Sequence, residues 1–150
     1  MTTRWLPIVV ALVVSANRAT AQTSLSSPND TAAVLVRAIE AADANRVIET
    51  FSDDATVFMP GGRTLTRLDG KPQIRQAFES FFGGAPAGSI GWIVPRDLAV
   101  QTLGEVAIVT FHLGDARLGR RTLVLRRSAG QWLIVHLHAS TVDIAAARDR

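Results

Sequence analysis

Over residues 30–42 the apolar positions Val34, Leu35, Ala38, Ile39 and Ala42 recur three and four apart, the spacing that lines one face of an α-helix. Asp30 stands where its N-cap belongs. Asp43 opens a second, shorter helix that turns Val47, Ile48 and Phe51 inward. "ATVFMP" then reads as a short strand, stopped by Pro60, Gly61 and Gly62. In "GKPQIRQAFESFFGG", Pro72 suits a first helical turn and Ile74, Ala77, Phe78 and Phe81 form an apolar stripe. Gly83 and Gly84 end that third helix. From there the period falls to two. Strands are expected over 89–95, 97–103, 105–113, 120–127 and 131–141, with "GDARLG" and "SAGQ" as hairpin loops. Helices followed by an antiparallel meander predict an α+β domain whose helices cover one sheet face.

Strict alternation divides the strands into two faces. One carries Ala107, Val109, Phe111, Leu113, Leu123, Leu125, Leu133, Val135, Leu137 and Ala139, which is apolar throughout and is assigned to the core. The other carries Thr110, His112, Thr122, Val124, Trp132, Ile134, His136 and His138. That face is too apolar for open water and too polar for an ordinary core. A second copy of the chain lying against it is the economical reading, which makes His112, Thr122, Trp132, Ile134, His136 and His138 the expected dimer face.

The N-terminus changes how the charge is read. "MTTRWLPIVVALVVSANRATAQ" has an early arginine, an apolar run and a small-residue "ATA", which together form a secretory signal peptide over residues 1–21 with cleavage after Ala21. The run is too short to cross a bilayer. Its removal takes two arginines and no acids from a chain of 16 basic and 13 acidic residues, leaving a net charge near +1. Nothing in that balance calls for nucleic acid or a membrane. The sequence has no cysteine, so no disulfide supports an exported fold and its core must suffice. Residues 22–29, "QTSLSSPN", are expected to be a disordered lead-in, 30–143 the domain, and 144–150 a tail. The mature protein is therefore expected outside the cytoplasm, periplasmic or secreted.

"FSDDATVFMPGG", "GKPQIRQAFESFF", "AIVTFHLG", "GRRTLVLRR" and "QWLIVHLHAS", in that order, resemble the nuclear-transport-factor-2-like superfamily. Within it they are most similar to SnoaL-like and SgcJ/EcaC-type small proteins. The resemblance implies a cystatin-like α+β barrel: a cone-shaped curved antiparallel sheet, three helices, a pocket inside the cone and a dimer through the sheet's outer face. It also implies pocket positions Leu35, Met59, Phe78, Phe82, Trp92, Phe111, Leu123 and Leu137. Fold does not name the function, because the superfamily holds isomerases, dehydratases, cyclases and non-enzymatic domains. Ketosteroid isomerases, which resemble this chain around "FSDDATVFMP", carry a catalytic aspartate at the position of Met59 and a tyrosine near Leu35. Methionine removes no proton, and leucine donates no hydrogen bond to an enolate. The association domain of calcium/calmodulin-dependent kinase II, which resembles the closing strand, has pocket arginines where this chain has Leu113, Leu123 and Ala139. An anion-binding cavity is not expected on that match.

Candidate chemistry is correspondingly thin. His136 and His138 have the spacing of a zinc pair on one strand face, but His112 is the nearest third ligand and lies two strands away. No metal or cofactor is assigned. Asp53 and Asp54 read as a solvated turn before a strand, and an acid–base role would fall to Asp54 or to a histidine such as His112. Arg117, Arg120, Arg121, Arg126 and Arg127 cluster on one hairpin and read as solvated strand ends. The expectation is an apolar small-molecule pocket in a dimeric domain without a catalytic set. The rivals are a lyase, isomerase or hydrolase acting on a hydrophobic metabolite, and an interaction domain with a vestigial pocket.

Overall fold

The computed structural model describes residues 24–60, 67–86, 88–90, 93–114 and 117–143. Helix α1 (Pro28–Glu40) starts earlier than Asp30, because Ser27 is its cap: the Ser27 hydroxyl accepts the Asp30 N–H at 3.1 Å, and Pro28 occupies the first turn. Helix α2 (Ala44–Glu49) is capped by Asp43, whose carboxylate accepts the Arg46 N–H at 2.9 Å. Strand β1 (Phe51–Phe58) leads to a two-residue strand β2 (Leu68–Asp69) and to α3 (Gly70–Phe82). Gly83 closes α3 at φ 56°, a left-handed conformation that glycine adopts without a Cβ clash. Four longer strands complete the chain: β3 (Arg96–Leu103), β4 (Val106–Leu113), β5 (Arg117–Ser128) and β6 (Gln131–Asp143).

The six strands form one curved, unclosed sheet in the order β2-β1-β6-β5-β4-β3. Its β3 to β6 meander is antiparallel, but β1 pairs with β6 in parallel, so the sheet is mixed rather than wholly antiparallel. The helices pack on its concave face, and Ile74, Phe78 and Phe82 of α3 and Leu35 of α1 close over Val57, Val109, Leu123 and Leu125. Residues 89–95 are not a strand where described: Ser89 and Ile90 lie in a turn and Ile93 to Pro95 are irregular. The Glu40 carboxylate ties this stretch to α1 by accepting the Ile93 N–H at 2.6 Å. The lead-in is also partly ordered. Leu25 is buried, and its carbonyl accepts the Trp132 N–H at 2.8 Å.

The largest departure from strict alternation lies in β6. Val124 pairs with His136 and Leu125 pairs with Ile134, so Val135 is an extra residue facing no partner on β5. Such a bulge reverses the faces on its far side. Trp132 and Ile134 consequently belong to the core, 7% and 0% exposed, while Leu133 and Val135 are only half-buried. The assignment of Trp132 and Ile134 to a dimer face is overturned, as is that of Leu133 and Val135 to the core. Beyond the bulge the alternation holds. Thr110, His112, Thr122, Val124, His136 and His138 share the convex face with Thr56 and Phe58 of β1.

On that face His136 Nδ1 is hydrogen-bonded to the Thr56 hydroxyl at 2.7 Å, and the Phe58 ring stands edge-on to the imidazole at 5.9 Å. Desolvation first, then the neighbouring His138 and Arg67, hold the His136 pKa below the ordinary 6.5. The unfolded chain thus takes up this proton before the folded one does, and folded stability declines as pH falls from about 6.5 through the lowered value.

Two outcomes follow from this packing. Trp132→Glu should lose about 3 kcal/mol or more in denaturant unfolding, as removal of a buried aromatic does, whereas Val94→Glu, at an exposed position outside the sheet, should change little; equal, small losses would place Trp132 outside the core. His136→Gln should flatten the fall in unfolding free energy between pH 7 and pH 5, and an unchanged slope would assign that pH dependence to other groups.

Candidate functional site

A cavity of about 120 Å³ lies between the concave sheet face and the helices, close to the roughly 150 Å³ at which an apolar void takes up a benzene-sized molecule. Leu35, Val36 and Ile39 of α1 form one wall, and Phe78 and Phe81 of α3 another. Met59 and Pro60, following β1, stand with Ile90 and Ile93 around it, while Phe111, Leu113, Leu137 and Ala139 supply the sheet side. Helical spacing brings Leu35 and Ile39 to one face, and strand alternation does the same for Phe111 with Leu113 and Leu137 with Ala139.

Of the pocket positions drawn from the sequence, Leu35, Met59, Phe78, Phe111 and Leu137 line this cavity. Phe82 and Leu123 do not. Phe82 packs beside Phe78 at 5.9 Å between ring centres, and Leu123 is fully buried beneath the cavity in the core. Trp92 lies outside the described residues. Leu35 and Met59, the positions matched to an isomerase's tyrosine and aspartate, do share the cavity, and both are apolar.

Neither acid–base candidate reaches it. Asp54 is an exposed residue of β1, paired with Arg126 at 3.2 Å, next to Asp53 and its 2.9 Å ion pair with Lys71. Hydrogen bonds from Ser52 and then Arg126 hold the Asp54 carboxyl below its usual range, which suits a surface ion pair and is the reverse of what a general acid needs. His112 lies on the convex face, 3.2 Å from the Asp97 carboxylate. Among the described residues no group of three His, Cys, Asp or Glu side chains is arranged to hold a metal ion.

Among the described residues one ionisable side chain does line the cavity, and it is Arg121. Its partners across the strands, Phe111 and Ala139, are both cavity residues, which places its side chain on the concave face with Leu123 and Leu125. The guanidinium reaches back over Gly119, where a Cβ would stand 3.2 and 3.3 Å from Nη1 and Nη2. Nη1 donates to the Arg120 carbonyl at 2.9 Å and to the Ser140 carbonyl at 3.2 Å. Burial lowers its pKa, but an arginine remains charged. Reading Arg121 with the other hairpin arginines as a solvated strand end is therefore incorrect. The signal was available: Arg121 has the parity of Leu123 and Leu125. The cavity also carries a cation despite the apolar residues at Leu113 and Ala139, because the charge enters from a neighbouring position.

A sequence model of the SnoaL-like domain matches residues 29–144. No curated protein matches the chain. Among solved structures, an uncharacterised protein with a cystatin-like fold from Caulobacter vibrioides superposes with a TM-score of 0.68 at 18% identity, covering 81% of this chain and 91% of that one. A ketosteroid isomerase-like protein from Erwinia carotovora atroseptica gives 0.63 at 22% identity, over 77% and 93%. A nuclear-transport-factor-2-like protein of unknown function from Pseudomonas putida gives 0.63 at 22%, over 75% and 82%. At these identities the likeness is one of fold. With nearly the whole described chain inside the family match, this protein belongs to the SnoaL-like domain family and shares its fold with nuclear-transport-factor-2-like and cystatin-like structures.

Proposed function

We propose that this SnoaL-like domain is an exported binding protein that takes a small, largely apolar molecule into its concave cavity. The observation that carries this reading is the lining: among the described residues, thirteen of the fourteen that line the cavity are apolar, and none is an acid or a histidine. Proton abstraction or donation at neutral pH needs such a group within hydrogen-bond reach of the substrate. A pocket of carbon with one fixed polar group is instead the usual make-up of a ligand site. The enzyme reading loses Asp54 and His112, which both lie away from the cavity. Export rests on the N-terminal "LPIVVALVVSA" and "ATA". Self-association through the convex face rests on what it exposes. Phe58 is 41% and Val106 38% exposed, and Ile108 and Val124 lie between them as register partners.

Ala139→Phe, which fills the cavity from its sheet side, should abolish binding of a ring-sized probe such as toluene. In the wild type, NMR shifts on adding toluene should cluster at Leu35, Phe78, Phe111 and Leu137. Shifts scattered over the surface, or undiminished binding in the filled variant, would overturn the cavity reading. Val124→Glu should turn a dimer into monomers in sedimentation, because it sets a carboxylate against its own symmetry copy. A monomeric wild type at high concentration would remove the dimer from the proposal.

A further inference from the structure

We infer that the ligand is an acid: an apolar molecule of about one ring in size with a carboxylate that docks on Arg121. The inference rests on the cavity-binding reading above and specifies the chemistry of its ligand. Arginine has five N–H donors in a planar fork. Nη1 uses both of its hydrogens on the Arg120 and Ser140 carbonyls. Among the described residues, Nη2 and Nε have no acceptor, and no carboxylate pairs with this guanidinium. Yet no buried polar side-chain atom is left without a partner. Those two nitrogens therefore keep accessible surface in a side chain that lines the cavity, and they form the edge that takes a carboxylate by two parallel hydrogen bonds.

The seat of the guanidinium is built by the fold. Gly119 leaves room for it over β5, two backbone carbonyls fix its orientation, and Ala139 and Phe111 flank it across the strands. A partly desolvated cation beside a carbon-lined cavity is better satisfied by an anion than by the few waters that reach it. Among the described residues no carboxylate lines the cavity to meet it. A ligand that brings its own carboxylate satisfies the arginine, while its hydrocarbon part fills the space between Leu35, Phe78 and Leu137. A planar carboxylate matches the free edge, and the size of the cavity limits the remainder to roughly a phenyl ring.

The test compares phenylacetate with its neutral isostere phenylacetamide by calorimetry, in wild type and in Arg121→Met. Wild type should bind phenylacetate at least about tenfold tighter, the ratio expected of a charge-assisted pair. Arg121→Met, which keeps length and removes charge, should lose that preference, so that the variant binds the acid no more tightly than the amide. If Arg121→Met fails to fold, Gly119→Val serves instead, because its side chain occupies the guanidinium's seat and should reduce the preference. Equal wild-type affinities for acid and amide would overturn the acid inference and leave cavity binding standing. Competition by inorganic phosphate as effective as by phenylacetate would also overturn it, by showing a simple anion site. Failure of both aromatic probes to bind, with toluene also excluded, would overturn the cavity reading itself.

Discussion

The fold turns on the single extra residue in β6. With Val135 unpaired, Trp132 and Ile134 swing into the core, and the main chain on that side of the bulge becomes a tether for the N-terminal elements. The Ile134 N–H donates to the Thr50 carbonyl and the Trp132 N–H to the Leu25 carbonyl. The buried hydroxyls of Thr31 and Ser52 donate to the Trp132 and Ile134 carbonyls. Each of these polar groups would otherwise be buried without a partner. A β6 without the bulge would turn Trp132 to solvent and leave α1 without its anchor.

That anchoring positions the cavity. Once α1 is tied to β6 at Trp132, its apolar stripe lies over the concave face, and α3 closes the other side through Phe78 and Phe82. The space that remains is bounded by β4, β5 and β6 beyond the bulge, where alternation is regular and Phe111, Leu137 and Ala139 all face inward. Arg121 occupies the corresponding place on β5. A guanidinium there is tolerable because Gly119 beside it has no side chain and because carbonyls meet one of its nitrogens.

The two sheet faces divide the chemistry. On the concave side, the described residues that line the cavity supply carbon and one cation. The convex face has the three histidines, of which His136 is linked to β1 through Thr56 and His112 to Asp97. The histidine spacing that suggests a metal pair is thus the convex half of the same alternation that places Leu137 and Ala139 in the cavity.

The sequence by itself determined the elements and most of the core. Helical spacing marked α1 to α3, Asp43 and Gly83 marked ends, and period-two runs marked the last four strands, since local sterics and burial act within a few residues. It also gave five of the cavity residues through the family resemblance. Only tertiary structure decided the inner face of residues 131–135, because Trp132, Leu133, Ile134 and Val135 are all apolar and either parity reads as core. The parallel joining of β1 to β6 was equally illegible, as it links strands some eighty residues apart with no hairpin turn to signal it. Arg121 lay between these cases. Its parity was legible in the sequence, but its solvation depends on a glycine, two carbonyls and the walls of a cavity that exist only once three strands and two helices have come together.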